Sequence, residues 1–265
     1  MRLNEIPFEK GPLPTMIERL CKTMNAMDRE WSQKVEPASQ SQIQSLAEIL
    51  KPYGTSIPLA YLLFLQAMGM NDNGLLEQEW DGTTEVNLDI ALSECSEDYN
   101  DFFPNGLLPF SFHWTEATLS IKLSEGDDPP VFLYQDSLFS RSFENYLFQM
   151  AFRQAGYTQF LYEIEYAASK VVFRDILSKK PEQTMSPMEF IESILKPYQL
   201  QKTWFSDDVR FCAISSEYMI IADLSWALNI MIYSDNYTVL QNMKNSLSYP
   251  FSGLGWRRIR KINRE

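Results

Sequence analysis

The chain has 265 residues, 45% of them hydrophobic and 22% charged, and a formal net charge of −12. A surface this acidic repels phosphate backbones, which sets nucleic acid aside as a ligand, and it draws in basic proteins at long range. Cys21, Cys95 and Cys212 are widely separated, so they form no zinc or redox spacing and read as thiols of a reducing compartment.

No apolar run approaches the roughly 20 residues of a membrane helix. The start, Met1 to Glu5, has no apolar core of a secretory signal. A cytoplasmic protein with no membrane contact is the expectation. Charge is unevenly spread: residues 257–265 hold Arg257, Arg258, Arg260, Lys261 and Arg264 against Glu265 alone, which leaves −16 for positions 1–256. That tail reads as a solvated or self-docking basic end, with contact to a partner or a membrane surface as the other reading.

Residues 12–32 are expected to be helical, because Met16, Leu20, Met24 and Met27 recur at helical spacing with Ile17 and Trp31 beside them. A polar connector covers 32–42. A second helix is expected from Ser41, with Gln44 as its capping-box partner and Ile43, Leu46, Ile49 and Leu50 on its apolar face; Pro52 and Tyr53-Gly54 stop it. A third runs from Pro58, at its first position, to Met68, with Tyr61, Phe64, Leu65 and Met68 on one face.

Between 75 and 135 the period changes to two. Val86, Leu88, Ile90 and Leu92 alternate, as do Leu119, Ile121 and Leu123. Leu107–Phe112 and Val131–Tyr134 are short apolar runs, and Asn105-Gly106 and Gly126-Asp127-Asp128-Pro129 are turns. This predicts an antiparallel sheet with one packed face.

Helices then return. Ser142 is expected to cap one that carries Phe143, Leu147, Met150 and Ala151 and ends at Gly156. Thr158 is expected to cap another, with Leu161, Ile164, Ala168, Val171 and Val172, before Pro181. Ser186-Pro187-Met188-Glu189 combines cap, first-position proline and capping-box acid. Strands are expected at 209–215, 218–224 and 228–233, and a helix over Tyr237–Leu247. Ile49-Leu50-Lys51-Pro52-Tyr53 recurs as Ile194-Leu195-Lys196-Pro197-Tyr198; common helix-end chemistry accounts for it better than a duplicated fold.

The chemistry-bearing inventory is thin. The single histidine, His113, sits between Phe112 and Trp114 with no visible nucleophile or orienting acid. Glu77, Glu79, Asp81 and Glu85 cluster, as do Glu94, Glu97, Asp98 and Asp101, but neither group has calcium-loop spacing. They read as a solvated acidic face or as a docking surface, with Trp80 and Trp114 as interface aromatics or core. There is no GxGxxG, GxxxxGK[ST] or GxSxG. No catalytic residue, metal ligand or cofactor site is assigned.

The order of these pieces resembles a known family. A capped helix, then Ile57-Pro58-Leu59-Ala60-Tyr61-Leu62-Leu63-Phe64-Leu65, a glycine turn, Leu107-Leu108-Pro109-Phe110, Pro130-Val131-Phe132-Leu133-Tyr134 and a helix with Phe143 and Leu147 resemble the SUKH superfamily of SMI1/KNR4 proteins over about residues 39–155. Ala60 stands where the family often has a polar residue, and Ser111 to Glu116 stands where it often has a glycine-rich acidic turn. The resemblance implies an α+β fold, an antiparallel sheet flanked by helices. It divides the chain into an N-terminal helical segment (1–38), the SUKH-like domain (39–155), and a connector with a C-terminal α+β extension (156–265).

It also implies a non-enzymatic protein-binding module. In bacteria such modules are mostly immunity proteins that neutralise polymorphic toxins, and in fungi they are hubs linked to cell-wall synthesis. The leading expectation is an immunity protein that occludes a basic cognate toxin, with Glu77, Glu79, Trp80, Asp81, Glu85, Trp114, Asp127 and Asp128 as the binding surface. A regulatory scaffold, or a hydrolase using the clustered carboxylates with His113, is the alternative. The sequence leaves the oligomeric state open.

Overall fold

A computed structural model describes residues 6–76, 84–85, 88–97, 105–113, 116–168, 186–225, 228–248 and 258–262. The fold class is α+β, with antiparallel sheets and helices, as expected. Two compact units divide between Ala151 and Phe152. The division expected from sequence lies after residues 38 and 155; by compactness Glu5–Ala151 groups as one unit.

The N-terminal unit opens with a 3-10 turn (Leu13–Thr15) and α1 (Met16–Met27), whose Met16, Leu20 and Met24 are buried as the spacing predicts. Helix α2 spans Gln40–Leu50 and ends in a 3-10 turn, Lys51–Tyr53, closed by Gly54 at φ 67°. Its cap is Ser39, not Ser41. Ser39 Oγ accepts the Gln42 N–H, and the Gln42 side chain accepts the Ser39 N–H. Both serines have glutamine three residues on, so spacing alone cannot choose. Ser39 wins because Ala38 before it is fixed: it is buried, and its N–H donates to Leu65 O at 2.9 Å.

Helix α3 (Leu59–Met68) buries Ala60, Tyr61, Phe64, Leu65 and Met68. Pro58 is its cap rather than its first residue. Proline has no side-chain oxygen to cap with, and the N–H of Ala60 is instead satisfied by the carbonyl of Asp127 at 2.8 Å. Gly69 closes the helix in ordinary αR backbone. A Cβ there would lie 2.8 Å from Leu65 backbone atoms and 3.0 Å from Ala38 Cβ, so its role is space, not an unusual φ.

The unit's sheet runs in the order β1 (Thr84–Glu85), β2 (Leu107–His113), β3 (Glu116–Lys122), β4 (Val131–Leu133) and β5 (Ser137–Ser140), each pair antiparallel. Between β1 and β2 lies α4 (Leu88–Glu97), where alternation predicted a strand. With Ala91, the same stretch also carries the helical spacing Leu88, Ala91, Leu92, and Leu88 and Ala91 are buried. The expected β2, β3 and β4 are present.

Helix α5 (Phe143–Gln159) begins as predicted, with Ser142 Oγ accepting the Asn145 N–H, but it runs through Gly156. A Cβ on Gly156 would meet Met219 Cε at 2.7 Å and the Tyr233 ring at 2.8 Å. The glycine therefore permits close packing on the following sheet and is not a helix stop.

The C-terminal unit has the sheet order β11-β6-β10-β9-β8-β7, all antiparallel: β6 (Tyr162–Ala168), β7 (Gln201–Lys202), β8 (Arg210–Ile214), β9 (Tyr218–Asp223), β10 (Leu228–Ser234) and β11 (Arg260–Lys261). Strand β6 replaces the helix expected after Thr158. The spacing of Leu161, Ile164 and Ala168 fits a helix, but Ile164, Tyr166 and Ala168 also alternate, and these three enter the core. Val171, Val172 and Pro181 lie outside the described residues.

Helix α6 (Pro187–Leu195) has the predicted capping box between Ser186 and Glu189. It ends in a 3-10 turn, Lys196–Tyr198, and left-handed Gln199. The repeated Lys-Pro-Tyr thus does the same local job after α2 and α6. Helix α7 (Tyr237–Ser248) buries Leu240, Met243 and Leu247.

Candidate functional site

Of the expected binding residues, Glu85, Asp127 and Asp128 are among those described. Glu77, Glu79, Trp80, Asp81 and Trp114 lie outside the described residues. The backbone of Glu85 pairs with Phe112 near the β2–β3 hairpin. Asp127 and Asp128 lie in the loop between β3 and β4, at the other end of β3. Six steps of about 3.3 Å along β3 separate these ends by roughly 20 Å. His113 pairs through its backbone with Thr84 and Glu116.

Within the loop, Asp127 is exposed and Asp128 half-buried. Asp128 Oδ1 accepts the Glu144 N–H at 2.8 Å, and the carboxylate also takes hydrogen bonds from the Ser142 side chain and the Phe143 backbone. It serves as an acceptor at the start of α5. Burial outweighs these bonds and raises the carboxyl above the usual aspartate range. A raised pKa in the folded state means that Asp128 supports the fold most at pH below the ordinary aspartate value. The support is lost as pH rises through the folded-state value. Asp128→Asn keeps the acceptor without the charge. Its stability relative to wild type is therefore expected to rise between pH 3.5 and pH 7, measured as urea midpoints at both values.

A second cluster escaped the sequence reading. In the C-terminal unit, the Arg153 guanidinium lies 5.9 Å from the Tyr157 ring centroid, and Tyr157 stands edge-on to buried Tyr233 at 5.4 Å. Burial, then Tyr157, raise the Tyr233 phenol well above its usual value, and Glu163 adds to this while Arg153 opposes it. Glu163 is buried in β6, and its Oε1 accepts from Arg260 Nε of β11. Its Oε2 has no hydrogen-bond partner among the described residues. Arg153 and Tyr157 share a helix face at i, i+4, a signal legible in sequence; Glu163, Tyr233 and Arg260 are joined to them only by sheet pairing.

A groove of about 490 Å³ lies beside α6 and the edge strand β7. Leu195, Leu200 and Phe211 line its apolar side. Lys202 also lines it, paired with Glu192 Oε1 at 2.6 Å and 5.8 Å from the Phe211 ring centroid. Burial raises the thiols of Cys21 and Cys212, which disfavours thiolate chemistry at both.

Among the described residues no three His, Cys, Asp or Glu side chains are grouped to hold a metal ion, and no helix is long and apolar enough to cross a membrane. Compared with known proteins, the chain gives no significant match to a family model, a curated sequence or a solved structure.

Proposed function

We propose that the chain is a non-enzymatic protein-binding module, an immunity protein of the SUKH type that neutralises a basic toxin. The observation that carries this reading is the charge: −12 overall, with five of the basic residues confined to positions 257–265. A body so acidic speeds capture of a cationic protein and holds it by surface complementarity. The α+β fold and the buried aromatic face of α3 fit the resemblance. Glu48, Asp89, Glu125, Asp127 and Asp136 are exposed acids of the N-terminal unit.

The test is affinity capture of the products of neighbouring genes on the purified chain. A basic product is expected to bind, with an association rate that falls steeply as salt rises. Failure of every neighbouring product to bind would overturn the reading. A regulatory scaffold is the second reading, favoured by the C-terminal unit's own core of Ile164, Ile191, Ile220 and Ile232. Loss of a partner on deleting residues 185–265, with the N-terminal unit still folded, is its expected signature.

A further inference from the structure

We infer that the start of β6 is a strand-exchange site: the chain's own Ile259–Ile262 segment occupies it, and an extended basic segment of a partner protein takes its place. The resident segment defines the ligand. Ile259 is buried among the core residues of the C-terminal unit. Arg260 pairs with Glu163 in antiparallel register and donates to its carboxylate, Lys261 lies opposite Tyr162, and the Ile262 N–H donates to Leu161 O at 2.8 Å. The recognised pattern is apolar, Arg, basic, apolar, in extended backbone.

Two features make this segment exchangeable. First, it is short: β11 has two residues, both exposed, and it pairs with β6 at two ladder positions among the described residues. Second, the two halves of its ion pair are unequally buried. The Arg260 side chain is 62% exposed, whereas that of Glu163 is 3% exposed and, among the described residues, has one oxygen without a hydrogen-bond partner. The arginine itself is readily solvated, whereas a carboxylate left buried without a cation is disfavoured. The site thus needs a basic strand and is indifferent to which molecule supplies it. Main-chain hydrogen bonds then give affinity, and the Glu163 carboxylate selects arginine in the manner of added-strand recognition. An intramolecular strand competes at an effective concentration of about millimolar, which keeps the site closed until a better-matched segment arrives. This inference does not depend on the partner being a toxin.

The probe is a synthetic peptide of residues 257–265. It is expected to bind an intact chain carrying Arg260→Glu and Lys261→Glu, in which the resident strand is repelled by Glu163, at least tenfold more tightly than wild type. Adding Glu163→Gln should remove that gain. Equal binding to both chains would overturn the inference, as would binding that survives Glu163→Gln, which would mark general attraction to an acidic protein. Hydrogen exchange on the wild-type chain gives an independent reading: the Ile262 amide should exchange far faster than those of β9 and β10. Protection equal to theirs would show that the strand does not leave.

Discussion

Replacing Arg19 with alanine should destabilise the N-terminal unit by about 3–5 kcal/mol, the range for removing one partner of a buried charge pair. The guanidinium is 8% exposed and donates to the carbonyls of Glu9, Gly11 and Pro12 at 3.0, 3.3 and 3.2 Å. It also donates to Thr15 Oγ1 at 3.1 Å and to the Glu144 carboxylate, and it lies 5.5 Å from the Phe148 ring centroid. Alanine leaves all of those acceptors without this donor. Lysine, with a point charge and three donors, is expected to recover only part of the loss, because its geometry cannot serve a fork of carbonyls on one side and a carboxylate on the other. Urea unfolding followed by near-ultraviolet circular dichroism measures both. A loss under about 1 kcal/mol for Arg19→Ala would contradict the assignment, since that is the level of an exposed pair.

Phe143→Ala should cost a similar amount, about 3–5 kcal/mol. The ring is fully buried, with centroids 5.5 Å from Tyr61, 5.6 Å from Phe64, 5.4 Å from Phe110 and 6.2 Å from Tyr146. It is therefore the point at which α3, β2 and α5 meet. Phe143→Leu, which keeps most of the volume and loses the edge-to-face geometry, should cost about 1–2 kcal/mol. If the two substitutions lower the melting midpoint equally, the aromatic cluster is not what holds these elements together.

Elements whose local signals agree were legible in sequence. Helix α6 has serine, proline and glutamate in cap order, and β8 to β10 are apolar runs bounded by turns, so propensity and tertiary structure point the same way. Elements with two overlapping periods were not. Leu88 to Leu92 fits both a strand and a helix, and so does Leu161 to Ala168, and only burial against the rest of the unit decides. Gly156 looked like a stop because glycine usually is one; the demand for it comes from Met219 and Tyr233, more than sixty residues away.

The same limit applies to function. Antiparallel pairing places the backbone of Glu85 and the loop that holds Asp127 at opposite ends of β3, a separation that chain order does not show. Glu163, between Tyr162 and Ile164 in a segment that also holds Glu165, gives no sign that its partner is Arg260, since that pairing is a property of the sheet and not of either segment.

The contact between Asp127 and Ala60 is made by main-chain atoms at both ends. Any residue at 127 supplies the same carbonyl, so the loop from Leu123 to Pro130 can change its exposed side chains without releasing the start of α3. It cannot change its length, because one residue added or removed moves a different carbonyl to that place. The loop is therefore a stretch in which new surface chemistry can be written by substitution while its contour stays constant.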